Sequence, residues 1–251
     1  MYSPSPDRNT EDTPVIETRG LSKAFRRATA VDSVDLAVRP GSVYGLLGPN
    51  GAGKSTTLKL ILGLSEPTAG EVRLFGSPWS RQALSRIGAS INGPSFYGHL
   101  SAKQNLMVHA HLLGMPASEV NRVLAEVELD ASDRKKTRSF STGMKGRLAL
   151  AIAMLGDPDV LILDEPQNGL DPEGIAALRT MLRRFTDTGR TVVLSSHLLG
   201  EVASVADDIG LISAGRLRYQ GPLAELAPDG DLERAYFQLT GATHGAGAVA
   251  S

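Results

Sequence analysis

Apolar positions in this chain follow two rhythms that alternate along its length. Short β-rich runs at residues 15–18, 34–38, 43–47, 71–75, 160–163, 191–194 and 209–212 read as strands. Arg39, Pro40 and Gly41 supply a turn between the second and third of these. Longer stretches with helical spacing lie between them, at about 54–62, 172–187 and 198–205. Strands alternating with helices imply a mostly parallel sheet covered by helices on its faces. The stretch from about 101 to 155 breaks this alternation. It holds three helical patterns, about 101–113, 117–128 and 143–155, separated by Gly114, Met115 and Pro116 and by a polar, basic loop. The expected fold is α/β, with an α-helical subdomain of about residues 93–156 inserted into the core.

The two ends do not join this pattern. Residues 1–13 are dominated by Ser, Pro, Asp, Glu and Thr, and residues 243–251 by Gly and Ala, so both are expected to be disordered tails flanking a domain at 14–242. The N-terminal residues lack the basic-then-apolar layout of a signal peptide. The longest apolar stretch, 148–155, is far short of the roughly 20 residues that span a bilayer. A net charge of −1 over 251 residues provides no global basic field for nucleic acid or anionic lipid. Cysteine is absent, which excludes disulfides, thiolate metal sites and cysteine nucleophiles and fits a cytosolic protein.

The chemistry begins after the predicted strand 43–47. Gly48, Pro49, Asn50, Gly51, Ala52, Gly53, Lys54 and Ser55 fit the pattern G-x-x-x-x-G-K-[ST] in full. A triphosphate is dense in negative charge, and a tight loop can aim several backbone N–H groups at it only where side chains are out of the way. The three glycines meet that need, and the following helix presents its positive N-terminal end to the same phosphates. Lys54 can reach the β- and γ-phosphates, and the Ser55 hydroxyl, followed by Thr56, is placed to hold Mg²⁺.

A second signal closes the apolar run 160–163 with two acids, Asp164 and Glu165. A buried strand that delivers carboxylates to the mouth of a sheet puts them where α/β folds carry out their chemistry. Asp164 can organise Mg²⁺, and Glu165, pointing elsewhere, can polarise an attacking water. Two solvated acids at a strand end are the plainer alternative.

With these residues in place, the sequence resembles the ATPase subunit of an ATP-binding cassette (ABC) transporter over about residues 15–241. Five further segments carry the resemblance in the family's order. Phe25 stands where the family stacks an aromatic on adenine, although a core aromatic would also account for it. Phe140, Ser141, Thr142, Gly143 and Met144 stand at the signature motif, usually Leu-Ser-Gly-Gly-Gln. Gly169, Leu170, Asp171 and Pro172 match the loop after the acidic strand, and His197 matches the switch histidine. Asn92 occupies the place of a glutamine.

The resemblance implies a P-loop NTPase core of mostly parallel sheet with an antiparallel β part and the inserted helical subdomain. It implies ATP and Mg²⁺ as cofactors, with Lys54, Glu165 and His197 catalytic and Ser55, Asp164 and Asn92 toward the metal. Ser141 and Gly143 would serve the nucleotide bound by a second copy, in an ATP-sandwich homodimer, and Asp171, also among the nucleotide-site residues, would link the two sites across the interface. A polytopic membrane permease would dock on residues 92–100, from Asn92 to Leu100, holding the protein to the inner face of the cell membrane. No nucleic-acid partner is implied. The basic residues Arg134, Lys135, Lys136, Arg138, Lys145 and Arg147 lack interleaved aromatics and read as a solvated face, with Lys145 and Arg147 placed to approach a partner's nucleotide. His99, His109 and His111 lack companions at metal-ligand spacing.

Some positions depart from the family's usual pattern. Asn92 is one methylene shorter than glutamine, Thr142 and Met144 replace signature residues, and Gln167 stands where Thr is common. Residues 87–97 and 141–145 are similar to the bacitracin- and lantibiotic-export group, which implies export of an antibiotic, peptide or other small molecule. Two other functions remain open at this point: a soluble ATP-driven clamp in DNA repair or translation, and a scaffold that binds ATP without hydrolysing it.

Overall fold

The computed structural model describes residues 13–240 apart from 27, 94 and 95. The expected tails therefore fall outside the described residues, except for Thr13.

The chain opens with β1 (Ile16–Phe25), β2 (Ala28–Val34) and a short β3 (Ala37–Val38), then passes through β4 (Val43–Leu47) and α1 (Lys54–Ile61). β5 (Ala69–Leu74), β6 (Ser77–Pro78) and β7 (Ile87–Ser90) lead into three consecutive helices, α2 (Ala102–Leu112), α3 (Ala117–Glu126) and α4 (Thr142–Ala153). Alternation then resumes with β8 (Val160–Asp164), α5 (Pro172–Thr186), β9 (Thr191–Ser196), α6 (Leu199–Ala203), β10 (Asp208–Ser213) and β11 (Arg216–Pro222). The short α7 (Leu223–Leu226) and α8 (Leu232–Thr240) follow.

These strands form two sheets. The first is antiparallel, in the order β2-β1-β5-β6 with β3 paired to β1. The second has the order β11-β10-β4-β9-β8-β7 and is parallel throughout except for β11. Both the parallel core and the antiparallel part agree with the expected architecture, and the three helices α2, α3 and α4 lie between β7 and β8 as the broken alternation predicts.

Strand alternation assigns each face of the parallel sheet. Tyr44 and Leu46 of β4, Val160 and Ile162 of β8 and Val193 of β9 share a core with Leu58 and Ile61 of α1 and Ile16 and Leu21 of the first sheet. Their neighbours Val43, Leu47, Leu161, Leu163, Val192 and Leu194 pack on the other face, against Leu148 of α4, Phe185 of α5 and Val202 of α6. All five residues of β4 and of β8 are buried, which is why these strands read as unbroken apolar runs.

The predicted strand 34–38 is in fact broken. Thr18 Oγ1 donates to Val34 O at 2.8 Å and accepts from Leu36 N at 2.9 Å, while Gly20 N donates to Asp35 Oδ1 at 2.6 Å. Side-chain bonds thus replace ladder bonds between β2 and β3. β6, β7 and β11 lie outside the predicted strands, β2 shares only Val34 with them, and β1 runs seven residues beyond the predicted end at 18, to Phe25. Each has the mixed polarity of a strand buried on one side at most: β11 alternates exposed and half-buried positions.

The helical insert meets the sheet at close range where α4 crosses β7. A Cβ added to Gly88 would sit 1.9 Å from the carbonyl oxygen of Ala153, a backbone atom with little room to yield. Gly88→Ala is expected to lower the unfolding free energy by about 1–3 kcal/mol. Urea titration followed by circular dichroism measures it, and an unchanged midpoint would contradict this packing.

Candidate functional site

Parallel pairing brings the C-terminal ends of β4, β9, β8 and β7 to one edge of the sheet, in that spatial order. The loop after β4 carries Gly48 to Gly53, the end of β9 carries His197, β8 ends in Asp164 and Glu165, and β7 leads to Asn92.

The loop is shaped by backbone approaches that only glycine permits. A Cβ on Gly48 would lie 2.2 Å from Ile212 O of β10, and one on Gly53 would lie 2.4 Å from Ala30 O of β2. Gly53 also has φ +109° and Gly51 φ +79°. The loop is fastened to the first sheet by Gly215 N donating to Ala52 O at 3.0 Å and Asp32 N to Gly215 O at 2.8 Å. Gly53 is the N-cap of α1 and no side chain caps that end, so its first-turn N–H groups face the loop's concavity unclaimed by a cap. A glycine cradle opening an uncapped helix fits a polyphosphate.

The charged groups converge beneath it. Lys54, only 5% exposed, donates from Nζ to Gly48 O at 2.7 Å and Pro49 O at 3.3 Å, and its Nζ lies 3.3 Å from Glu165 Oε1. The other oxygen of Glu165 lies 2.6 Å from His197 Nδ1. Ser55 Oγ donates to Asp164 Oδ1 at 2.9 Å. Lys54, Glu165 and His197 are therefore one linked chain of polar contacts, and Ser55 with Asp164 forms an oxygen pair beside it. The solvated-acid alternative fails: Asp164 is buried and Glu165 is 84% covered. Glu165 is also held at φ +51°, a conformation disfavoured for a residue with a side chain.

Among the described residues, Phe25, Asn92, Ser141, Gly143 and Asp171 make no hydrogen bond to Lys54, Glu165 or His197. Phe25 ends β1 and is 55% exposed, with Lys23 Nζ 5.4 Å from its ring centroid, which removes the core-aromatic alternative. Asn92 has φ +60° and lines a cavity of about 600 Å³ together with Asp164, Glu165, Gly143 and Lys145, without a hydrogen bond to either acid. Ser141 is the N-cap of α4, accepting from Met144 N at 3.2 Å, and Asp171 is the N-cap of α5, accepting from Gly174 N at 2.8 Å. Ser141, Gly143 and Asp171 border a second concavity of about 550 Å³. Among the described residues no hydrogen bond joins these three to the phosphate loop. Arg147 pairs with Glu128 at 3.1 Å, and burial pushes the pKa of His109 down. No cluster of three His, Cys, Asp or Glu poised for a metal occurs among the described residues.

Two residues of the site carried no predicted role. Ser195 Oγ donates to Asp164 Oδ1 at 2.6 Å and accepts from Glu165 N at 3.0 Å. Gln167 donates to Ser196 Oγ, which also accepts from Leu198 N at 2.9 Å. The signal available in the sequence was a pair of hydroxyls ending an otherwise apolar strand, overshadowed by the histidine that follows.

Comparison with known proteins gives this geometry a family. The model of the ABC transporter family matches residues 31–168. The chain is 42% identical over 210 residues to the ABC transporter ATP-binding protein YcbN of Bacillus subtilis, covering 82% of this chain and 68% of that protein. It is 41% identical over 203 residues to the lantibiotic transport ATP-binding protein SrtF of Streptococcus pyogenes, covering 81% and 89%, and 42% identical over 217 residues to the bacitracin transport ATP-binding protein BcrA of Enterococcus faecalis, covering 84% and 70%. Among solved structures, an ATP-binding subunit of an ABC transporter superposes with a TM-score of 0.78 at 28% identity, over 90% of this chain and 99% of that one. The chain therefore belongs to the ABC transporter family, as one of its ATP-binding subunits that hydrolyse ATP to power transport.

Proposed function

We propose that this chain binds Mg·ATP on its phosphate loop, closes on a second copy of itself, and powers export of an antibiotic, peptide or other small molecule through a separate membrane permease. The observation that carries this reading is the continuous link Lys54–Glu165–His197 beside Ser55 and Asp164. A γ-phosphate seated on the loop would compete with Glu165 for Lys54, releasing the carboxylate toward water. Glu165 then orients that water and accepts its proton as the water oxygen bonds to γ-phosphorus, the bond from γ-phosphorus to the bridging ADP oxygen breaks, and Lys54 and His197 hold the developing charge. Ser55 and Asp164 are the residues that would hold Mg²⁺, which neutralises phosphate charge when bound. Asn92 is poised at the same cavity, one atom short of the usual reach.

The exposed ring of Phe25 suits adenine stacking, and the helix ends at Ser141 and Asp171 suit the triphosphate held by a second copy. Closure on γ-phosphate and opening after its loss would make hydrolysis a mechanical step. No helix among the described residues is long and apolar enough to cross a membrane, and this reading gives the crossing to a separate permease. Tyr97 is a suitable docking point on the inner face of the membrane: its ring is 51% exposed while its backbone is clamped by Asn105 and Thr137. Pro94 and Ser95 of the same loop lie outside the described residues. Relatives named for bacitracin and lantibiotic transport favour export over a soluble clamp in DNA repair or translation, and the intact acids favour hydrolysis over a passive scaffold.

Affinity capture of the tagged protein from gently solubilised host cells, with mass spectrometry of the chains recovered, tests the reading directly. One polytopic membrane protein should be recovered, and Tyr97→Asp should lose it while keeping ATP affinity; recovery of soluble chains or nucleic acid alone would reject the transporter reading. Glu165→Gln should form a long-lived dimer in ATP by light scattering, and a monomer at saturating ATP would refute the sandwich. Lys54→Ala should weaken binding of a fluorescent ATP analogue by about ten-fold or more, given the charge-assisted bonds it removes.

A further inference from the structure

β8 and β9 pair in parallel so that Asp164 lies opposite Ser195, and strand alternation puts both side chains on the face covered by α1. Ser195 is fully buried. Its single hydroxyl hydrogen goes to Asp164 Oδ1, 2.6 Å away, because a carboxylate oxygen only accepts. Its oxygen then accepts from the backbone N–H of Glu165 at 3.0 Å. One hydroxyl therefore touches both acidic residues at once, through the side chain of the first and the main chain of the second.

We propose that Ser195 is a positioning residue for ATP hydrolysis, holding Asp164 and Glu165 in their working geometry through this double contact. Two constraints give it that role. Glu165 sits at φ +51°, where a residue with a side chain is disfavoured and must be held by its surroundings. The Ser195 contact secures the N–H side of that residue, and Asn168 N donating to Glu165 O at 3.1 Å secures the carbonyl side. With both ends fixed, the carboxylate reaches between Lys54 and His197. The second constraint concerns Asp164. Its Oδ1 receives two hydroxyls, from Ser55 at 2.9 Å and from Ser195. Ser55 stands at the head of α1 in the phosphate loop, where a nucleotide can redirect it. Ser195 is buried in the strand behind and keeps its hold on the aspartate. Without the hydroxyl, the Glu165 N–H is left unpaired at a buried site and the aspartate loses its fixed partner.

The test is steady-state ATP hydrolysis by the full chain, with binding of a fluorescent ATP analogue and thermal melting measured on each variant. Ser195→Ala is expected to lower kcat by about ten-fold, the loss of one hydrogen bond to a charged group, with KM and analogue affinity within about two-fold of the parent. Ser195→Cys keeps the size but donates weakly, so it should show the same loss and serves if the alanine variant does not fold. Ser195→Thr keeps the hydroxyl and should restore kcat to within about three-fold of the parent. Thr186→Ala removes a buried hydroxyl of α5 that bonds only helix carbonyls, so it controls for a purely structural loss. Turnover of Ser195→Ala and Ser195→Cys within two-fold of the parent would overturn the proposal, as would a matching kcat loss in Thr186→Ala.

Discussion

Parallel pairing of β4, β9 and β8 is the constraint on which the rest of this structure depends. In-register ladders join Leu47 to Ser196 and Asp164 to Ser195, so three loops distant in sequence leave the sheet side by side. The glycine-rich loop, His197 and the two acids are neighbours for that reason alone. The strands can be stacked this way because both faces of the sheet are covered, by α1 and the first sheet on one side and by α4, α5 and α6 on the other. A slip of one residue between β8 and β9 would turn Asp164 to the opposite face from Ser55 and bury a polar residue among the apolar side chains of α4 and α5. Register is thus protected by the same burial that stabilises the core.

Within that frame the site is built mainly from main-chain approaches and charge pairing. Gly48 and Gly53 let the phosphate loop press against β10 and β2, so the antiparallel sheet serves as a wall for the loop as well as a cover for the core. Burying the ammonium of Lys54 would be costly without partners. Two carbonyls and the Glu165 carboxylate provide them, and the carboxylate is in turn tied to His197. On the proposed function, a nucleotide taken up by Lys54 would rearrange these bonds, so that occupancy of the loop and the freedom of Glu165 would be coupled.

The helical insert stands in a different relation to the core. One close approach is backbone against backbone, Gly88 of β7 beneath Ala153 of α4, while Ser141 and Gly143 border one concavity with Asp171 and Gly143 also lines the cavity that holds Asp164 and Glu165. Side chains that look like one motif set along the sequence are thereby divided into two groups. One gathers at the sheet edge, and the other lies at the N-termini of α4 and α5, where Ser141 and Asp171 act as caps within the chain.

The sequence by itself determined the elements whose signals are local. Apolar runs buried on both faces marked β4 and β8, the glycines and Lys54 marked the phosphate loop, and Asp164 with Glu165 marked its acidic counterpart, because each pattern is a few residues long and chemically uncommon. Strands with one polar face, β2, β7 and β11, left no such trace, and the residues 34–38 read as one strand because the hydroxyl of Thr18 that divides them lies sixteen residues from Val34. Only the tertiary structure decided the links between segments: that Glu165 bridges Lys54 and His197, that Phe25 is exposed, that Gln167 reaches Ser196, and that Ser195 supports both acids. A side chain's partner is set by strand order and register, and those follow from how the whole chain buries its apolar surface rather than from the residues on either side.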